Sequence, residues 1–223
     1  KVIGTNATQS NASPVNLIRP PLAMRSVVIS EILWSGVRKD TGYYSMWKGN
    51  FVEFCNAQTF AINIGGFSLV AVTSNGRFTN TYLVPPGTRL APGGFFVMGQ
   101  DCSMHSTDYF LAAFKYDDFL FSRPAAIADD SFFGLIEQPD PAFLMALYDQ
   151  YGRLIDRVNA APALGGFAAP GSSATPKRSM ERNQPFADGD LPGSWTTATG
   201  SANVTADYDQ NTLATPGAAN STW

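Results

Sequence analysis

Two glutamates in apolar surroundings are the first residues of this sequence that could do chemistry. Glu31 lies in "VVISEILW" and Glu53 in "FVEFCN", and both stretches have the composition of β-strands. Paired strand carboxylates are the arrangement that glycoside hydrolases use, one as acid and the other as nucleophile or base. The pair alone is a weak signal for that chemistry.

The single histidine, His105, is the only residue that could act as the base of a Ser/His/Asp or Cys/His mechanism. Cys102 precedes it by three residues, but no oxyanion or nucleophile-elbow signature accompanies either residue. We therefore expect a loop histidine and a chain that is not an enzyme. Cys102 is expected to be half of a disulfide with Cys55 or a free thiol, and two cysteines without CxxC spacing do not predict a zinc site.

Calcium is the only cofactor for which the sequence offers a candidate site. The segment "DYDQNT" places the oxygen ligands of Asp207, Asp209 and Asn211 at alternate positions, as calcium loops do. Thr212 replaces the glycine of an EF-hand, and the glutamate at the twelfth position is missing. A looser calcium site here or at "DGD" (188–190) is the alternative to solvated turns.

The charged stretch "LYDQYGRLIDRV" (147–158) predicts a β-hairpin. Asp149 has the side chain that bonds nearby backbone in a tight turn, and Gly152 allows a positive φ. Asp156 and the arginines Arg153 and Arg157 are expected on the returning strand, as cross-strand charge pairs.

Composition predicts an all-β fold and argues against two classes of partner, nucleic acid and the membrane interior. Twenty Gly and fifteen Pro are scattered along 223 residues that are 44% hydrophobic, which is typical of many short strands joined by turns. The net charge of −3 and the absence of a basic run argue against nucleic acid, and no apolar stretch is long enough to span a bilayer. The sequence begins with Lys1, as a secreted protein does after signal-peptide removal, or as a trimmed chain does.

The order of segments predicts a leader followed by one sandwich domain. Residues 1–26 have the composition of a tail, and residues 27–223 form the predicted domain. Strands are expected at 27–34, 51–56 and 95–99 and in the late hairpin, with "KDTGYYSMWKGN" (39–50) as a loop. A long aromatic-rich insertion occupies about residues 101–142, and we expect it to pack on the body.

In this order the segments resemble the lamin tail domain, an immunoglobulin-like β-sandwich, in its prokaryotic secreted form. The resemblance is carried by "VVISEIL", "FVEFCNAQTFAINIGGFSL", "LAPGGFFVMGQD", "LYDQYGRLIDRV", "SMERNQP" with "GSWTTA", and "TPGAAN". It implies a sandwich without catalytic residues. It also implies that Glu31 and Glu53, which match acidic positions common in the family's opening strands, bond backbone or an arginine such as Arg182.

Two hypotheses for function follow. The first is a non-catalytic extracellular or cell-surface structural protein that assembles with copies of itself into a layer or filament. Its contacts would come from the leader and the insertion, by strand addition or aromatic anchors; the candidates are Val15, Leu17, Ile18, Phe114, Tyr116, Phe119 and Phe121. The alternative is a glycan- or calcium-dependent binding module of a larger secreted enzyme or adhesin.

Overall fold

The computed structural model describes residues 21–35, 37–40, 45–48, 51–73, 79–99, 142–174, 176–204 and 212–223. These residues form strands and two short 3₁₀ turns, Pro162–Leu164 and Pro192–Ser194. The strands are β1 (Val27–Leu33), β2 (Val37–Asp40), β3 (Ser45–Lys48), β4 (Phe51–Asn56), β5 (Ile62–Asn63), β6 (Ser68–Thr73), β7 (Thr79–Leu83), β8 (Arg89–Leu90), β9 (Phe95–Gly99), β10 (Phe143–Tyr148), β11 (Leu154–Ala160), β12 (Met180–Arg182) and β13 (Trp195–Thr197).

The fold is an all-β sandwich, as the sequence predicts. One sheet has the strand order β13-β12-β1-β4-β9, and the other has the order β11-β10-β6-β7; β2-β3 and β5-β8 form two small ribbons. The pairings between these strands are antiparallel. Apolar side chains from both large sheets meet in one core, which includes Ile29, Phe54, Leu69, Phe143 and Val158. Burial of these strand faces against each other is the main force that holds the sandwich together.

Strand prediction was accurate where β-branched and aromatic residues run together. Strands β4 and β9 have the expected limits, and β1 ends one residue earlier than expected. Strands β10 and β11 form the expected late hairpin. The segment 39–50, expected as a loop, instead contributes to the antiparallel ribbon of β2 and β3. That prediction was wrong because the sequence 39–50 shows no alternation of apolar and polar residues that would indicate a strand.

A β-bulge in β1 turns two polar side chains to the same face of the five-stranded sheet. The pairing of β1 with β4 shifts register between Ile29 and Glu31, so that Ser30 is the extra residue. Ser30 donates a hydrogen bond to Glu53 on β4, and Glu31 lies beside Glu53 in the register. The bulge therefore keeps Ile29 and Ile32 in the core while Ser30 and Glu31 face the opposite side.

The last residues of the leader pack on the sandwich of the same chain. The backbone N–H of Arg25 donates to the carbonyl of Ile155 on β11 at 2.7 Å, and Leu22 packs against the hydrophobic core. The Arg25 side chain also pairs with Asp188 at 2.5 Å. Residues 21–26 therefore connect the β11 edge of one sheet to the start of β1 in the other.

A buried ion pair joins the two sheets at the same corner. Arg182 on β12 donates to both carboxylate oxygens of Asp156 on β11, and the side chains are 0% and 2% exposed. Burial raises the pKa of Asp156 and lowers the pKa of Arg182, although each partner opposes the shift of the other. Asp156 also accepts the N–H of Ile29 at 2.8 Å. Asp156 is thus an interior residue, and the expectation of a surface cross-strand charge was wrong.

Candidate functional site

Three glutamates form a row across the outer face of the five-stranded sheet. Glu31 on β1 is paired in register with Glu53 on β4 and with Glu181 on β12. All three residues are fully buried. We call Glu53, Glu31 and Glu181 the carboxylate row.

The C-terminal segment, residues 212–223, covers this row and supplies much of its hydrogen bonding. The N–H of Gly217 donates to Glu53 at 2.6 Å, the N–H of Thr215 to Glu31 at 2.9 Å, and the N–H of Ser221 to Glu181 at 3.1 Å. The carboxylates therefore act as acceptors for backbone N–H groups of residues 215–221, which belong to none of the strands in the described part of the chain.

Hydroxyl groups complete the network around the row. Ser179 donates to Glu31 at 2.5 Å, and the Ser221 hydroxyl bonds Glu181. The Thr215 hydroxyl lies between two carboxylates, 3.1 Å from Glu31 Oε2 and 3.0 Å from Glu181 Oε1. A hydroxyl carries one proton, so it can fully satisfy only one of these oxygens as a donor. The other contact becomes a full hydrogen bond when that carboxyl group is protonated and donates to Thr215.

Burial and mutual repulsion raise the pKa values of Glu31 and Glu53, which favours their protonated states. Burial, with a contribution from the charge of Glu181, raises the pKa of Glu31 from 4.5 to about 7 against the opposing hydrogen bonds. Burial and then the charge of Glu31 raise the pKa of Glu53 well above its ordinary value. Like charges in one dry site disfavour simultaneous ionisation, which agrees with the geometry at Thr215.

The row fastens the C-terminal segment and does not face solvent. A glycosidase carboxylate must reach a sugar, whereas these groups lie beneath residues 215–221. The hydrogen-bond partners of Glu31 and Glu53 are hydroxyls and backbone N–H groups, as expected in part. Of the two alternatives expected for these glutamates, backbone or an arginine such as Arg182, the structure shows the backbone one; Arg182 instead bonds Asp156.

A cleft of about 1110 Å³ opens elsewhere, between the end of the leader, the 58–63 segment and the β10–β11 turn. It is lined by Pro21, Leu22, Ala23, Ser26, Gln58, Phe60, Ala61, Ile62, Asn63, Phe67, Arg89, Asp149, Gln150, Tyr151 and Arg153. Two of the lining aromatic side chains project into water, since Phe60 is 54% and Tyr151 is 74% exposed. We call this feature the end cleft.

The turn between β10 and β11 forms one wall of the end cleft and is held rigidly. Asp149 Oδ1 accepts the N–H groups of Tyr151 and Arg153 at 2.9 and 3.0 Å, and Gly152 has a φ of 76°. Asp149 Oδ2 accepts Arg153 Nε at 2.7 Å. The predicted roles of Asp149 and Gly152 in the turn are therefore confirmed.

The same carboxylate bonds the Arg153 side chain, which in turn lies against the Tyr151 ring. Arg153, held by Asp149, lies with its guanidinium carbon 5.1 Å from the centroid of the Tyr151 ring. Burial of Asp149 acts to raise its pKa, but hydrogen bonds from Arg153 and from the backbone outweigh this and lower the pKa. The ring and the guanidinium are thus positioned before any ligand arrives.

Several polar groups of the end cleft have no hydrogen-bond partner among the described residues. They are the side-chain amides of Gln58 and Gln150, the amide nitrogen of Asn63, and the guanidinium of Arg89. Arg89, Asn63 and Gln150 are exposed. These groups are available to bind a ligand.

Most of the side chains predicted from sequence to bind or assemble lie outside the described residues. This holds for the calcium candidates Asp207, Asp209 and Asn211, for the assembly candidates Val15, Leu17, Ile18, Phe114, Tyr116, Phe119 and Phe121, and for Cys102 and His105. Those predictions stay predictions.

Two further candidates lie within the described residues. Cys55 is buried, has no disulfide partner among the described residues, and has a pKa raised to about 12 by burial and by Glu53. Cys102 lies outside the described residues, so the predicted pairing stays a prediction. In the "DGD" segment, Asp188 pairs with Arg25 and Asp190 with Arg157. No group of three metal-ligating side chains suited to a metal ion occurs in the described part of the chain.

The end cleft was not predicted from the sequence, although the β10–β11 turn that forms one of its walls was. Tyr151 stands in the turn "DQYG", where a large aromatic ring is not needed for the turn, and Phe60 follows the polar "NAQT". An aromatic residue in a polar turn is the signal that could have identified the site. Nothing comparable in the sequence indicates that Arg89 belongs to the cleft.

No helix in the described ranges is long and apolar enough to cross a membrane. No protein-family model matches the chain, and no curated protein sequence matches it. The resemblance to lamin tail domains accordingly stays a prediction, alongside a sandwich fold that the structure shows directly.

Proposed function

We propose that this chain is a non-catalytic, secreted recognition module that binds a glycan in the end cleft. The observation that carries the proposal is the pair of exposed aromatic rings, Phe60 and Tyr151, on the walls of one cleft. Concave sites with apolar walls and a few convergent polar groups are the usual form of ligand sites.

The polar groups of the cleft suit a sugar better than a purely apolar ligand. A pyranose ring has an apolar C–H face, which packs on an aromatic ring, and a rim of hydroxyls that both donate and accept. The amides of Gln58 and Gln150 offer a donor and an acceptor each, and Arg89 offers donors. A wholly apolar ligand would leave these groups without partners.

The non-catalytic part of the proposal is supported by the position of the acidic residues. The carboxylate row is sealed beneath the C-terminal segment, and Asp149 is committed to its turn. Neither carries a free carboxylate into the end cleft. The cleft offers binding groups, and its one described carboxylate is already bonded.

Titration against immobilised neutral and acidic oligosaccharides tests the proposal. Tyr151→Ala and Phe60→Ala are each expected to weaken binding about tenfold, since each removes one stacking face. Phe186→Ala is the matched control, because Phe186 is 61% exposed but does not line the cleft. Binding that is absent from every oligosaccharide, or equal among the three variants, would refute the proposal; binding of proline-rich peptides instead would indicate a different ligand class.

Calcium binding and self-assembly are two separate predictions, and each has its own test. Titrations with calcium and with a chelator test the site predicted at Asp207, Asp209 and Asn211. Light scattering of the chain with and without residues 1–20 tests assembly through the leader. The deletion stops at residue 20 because residues 21–26 pack on the sandwich and belong to the cleft wall.

A further inference from the structure

We infer that the end cleft selects acidic saccharides, with Arg89 and Arg153 binding a sugar carboxylate. This inference rests on the proposed function of the cleft as a glycan site. The inference adds that the ligand is negatively charged and names the two residues that bind this charge.

Positive side chains outnumber negative ones among the accessible charges of the cleft. Its described lining contains three charged side chains, Arg89, Arg153 and Asp149. The Asp149 side chain is 2% exposed, whereas that of Arg153 is 40% exposed and Arg89 is exposed. A ligand therefore meets two guanidinium groups and no accessible carboxylate among the described lining residues.

Arg89 is the stronger of the two candidates because it is uncommitted. It has no hydrogen-bond, ion-pair or ring partner among the described residues. Arg89 lies on the two-residue strand β8, whose pairing with Ile62 and Asn63 of β5 places it next to the polar wall. A planar guanidinium presents parallel N–H groups that match the two oxygens of a carboxylate.

Arg153 contributes from the β10–β11 turn although it is bonded to Asp149. Its Nε and one Nη bond Asp149 Oδ2, which leaves other N–H donors of the guanidinium for a ligand. Its place beside Tyr151 puts a cation at the edge of the proposed stacking ring. A uronic acid stacked on Tyr151 would bring its carboxylate to these donors.

Paired ligands that differ only in charge test the inference. The probes are oligomers of galacturonic, glucuronic and mannuronic acid, each compared with its methyl ester, which removes the charge and keeps the ring. We expect esterification to weaken binding at least about tenfold, as loss of a charge-assisted hydrogen-bond pair does. The preference should decrease as ionic strength rises.

Variants assign the preference to the cleft. Arg89→Gln is expected to reduce the acid-to-ester preference to within about threefold, and Arg153→Gln to reduce it partially. Arg157→Gln is the matched control, because it makes the same change of net charge at a half-exposed arginine outside the cleft lining. A preference that Arg157→Gln lowers equally reflects net charge and overturns the inference.

The remaining outcomes separate this inference from the proposed function. Equal binding of acids and esters, with loss in Tyr151→Ala, overturns the charge preference and leaves a neutral-glycan site. Binding of sulfated but not carboxylated oligomers overturns the carboxylate assignment. No binding of any saccharide overturns both proposals together.

Discussion

Replacing Glu31 with glutamine should stabilise the protein at neutral and alkaline pH. In the structure, Glu31 Oε1 accepts Ser179 and the N–H of Thr215, while Oε2 faces the Thr215 hydroxyl. A glutamine can keep its oxygen on the first two donors and donate its amide to the Thr215 hydroxyl. That hydroxyl can then donate to Glu181 at the present distance of 3.0 Å. Glu31→Gln therefore reproduces the protonated form of the row.

The size of the expected change in the free energy of unfolding follows from the raised pKa of Glu31. A group whose pKa is 4.5 in the unfolded chain and about 7 in the fold keeps its proton longer when folded. Its contribution to stability is fully present below pH 4.5 and is lost as the pH rises through 7. The shift corresponds to about 3 kcal/mol between these limits. Without the charge of Glu31, the pKa of Glu53 should also fall, because that charge helps to raise it.

Urea denaturation at several pH values between 5 and 8.5 measures the effect. The wild type should lose stability across this range, and Glu31→Gln should lose about 3 kcal/mol less. Glu31→Ala is the comparison, because it leaves Ser179 and the Thr215 N–H without an acceptor and should be destabilised at every pH. Parallel pH profiles for the wild type and Glu31→Gln would refute the assignment of the proton to this row.

Three further predictions use the same denaturation assay. Asp149→Asn should destabilise the fold at pH 7. The difference in stability from the wild type should shrink below about pH 4, because the lowered pKa of Asp149 gives stability that is lost on acidification. A difference that stays constant with pH would count against this prediction. Asp156→Ala should cost about 3–5 kcal/mol by leaving Arg182 buried without its partner, while Asp156→Leu combined with Arg182→Met should recover most of that loss. A double variant no more stable than the single would contradict this reading. Gly189→Ala should lower the free energy of unfolding by about 2 kcal/mol, since the added methyl group would lie 2.1 Å from a backbone oxygen. Gly193→Ala, whose methyl group would meet open space, should leave stability unchanged. Equal effects of the two variants would argue against the close approach at Gly189.

The sandwich could be predicted because its strands carry their signal locally. "VVISEIL", "FVEFCN" and "FLMALY" are short, apolar and rich in β-branched or aromatic residues, and each became a strand. The β2–β3 ribbon was missed because its stability depends on pairing between segments rather than on composition. Local propensity cannot report a partner that is distant in space.

The carboxylate row could be foreseen only in part for the same reason. Two glutamates amid apolar strand residues indicate buried carboxylates. Apart from Ser30, however, their donors are Ser179, Thr215 and Gly217, which lie far along the chain. The choice of Asp156 for Arg182 likewise depends on two strands in different sheets. Sequence identified the groups that need partners, and the tertiary fold determined the partners.

The β10–β11 turn shows why a structural role and a binding role need not exclude each other. Asp149 holds the turn by accepting backbone N–H groups, and the same side chain orients Arg153 beside Tyr151 at the cleft. A site built from a rigid turn loses little side-chain entropy when a ligand binds. The four charges of this hairpin thus divide between two tasks. Asp149 and Arg153 shape the cleft, while Asp156 and Arg157 fasten the corner of the sandwich through Arg182 and Asp190.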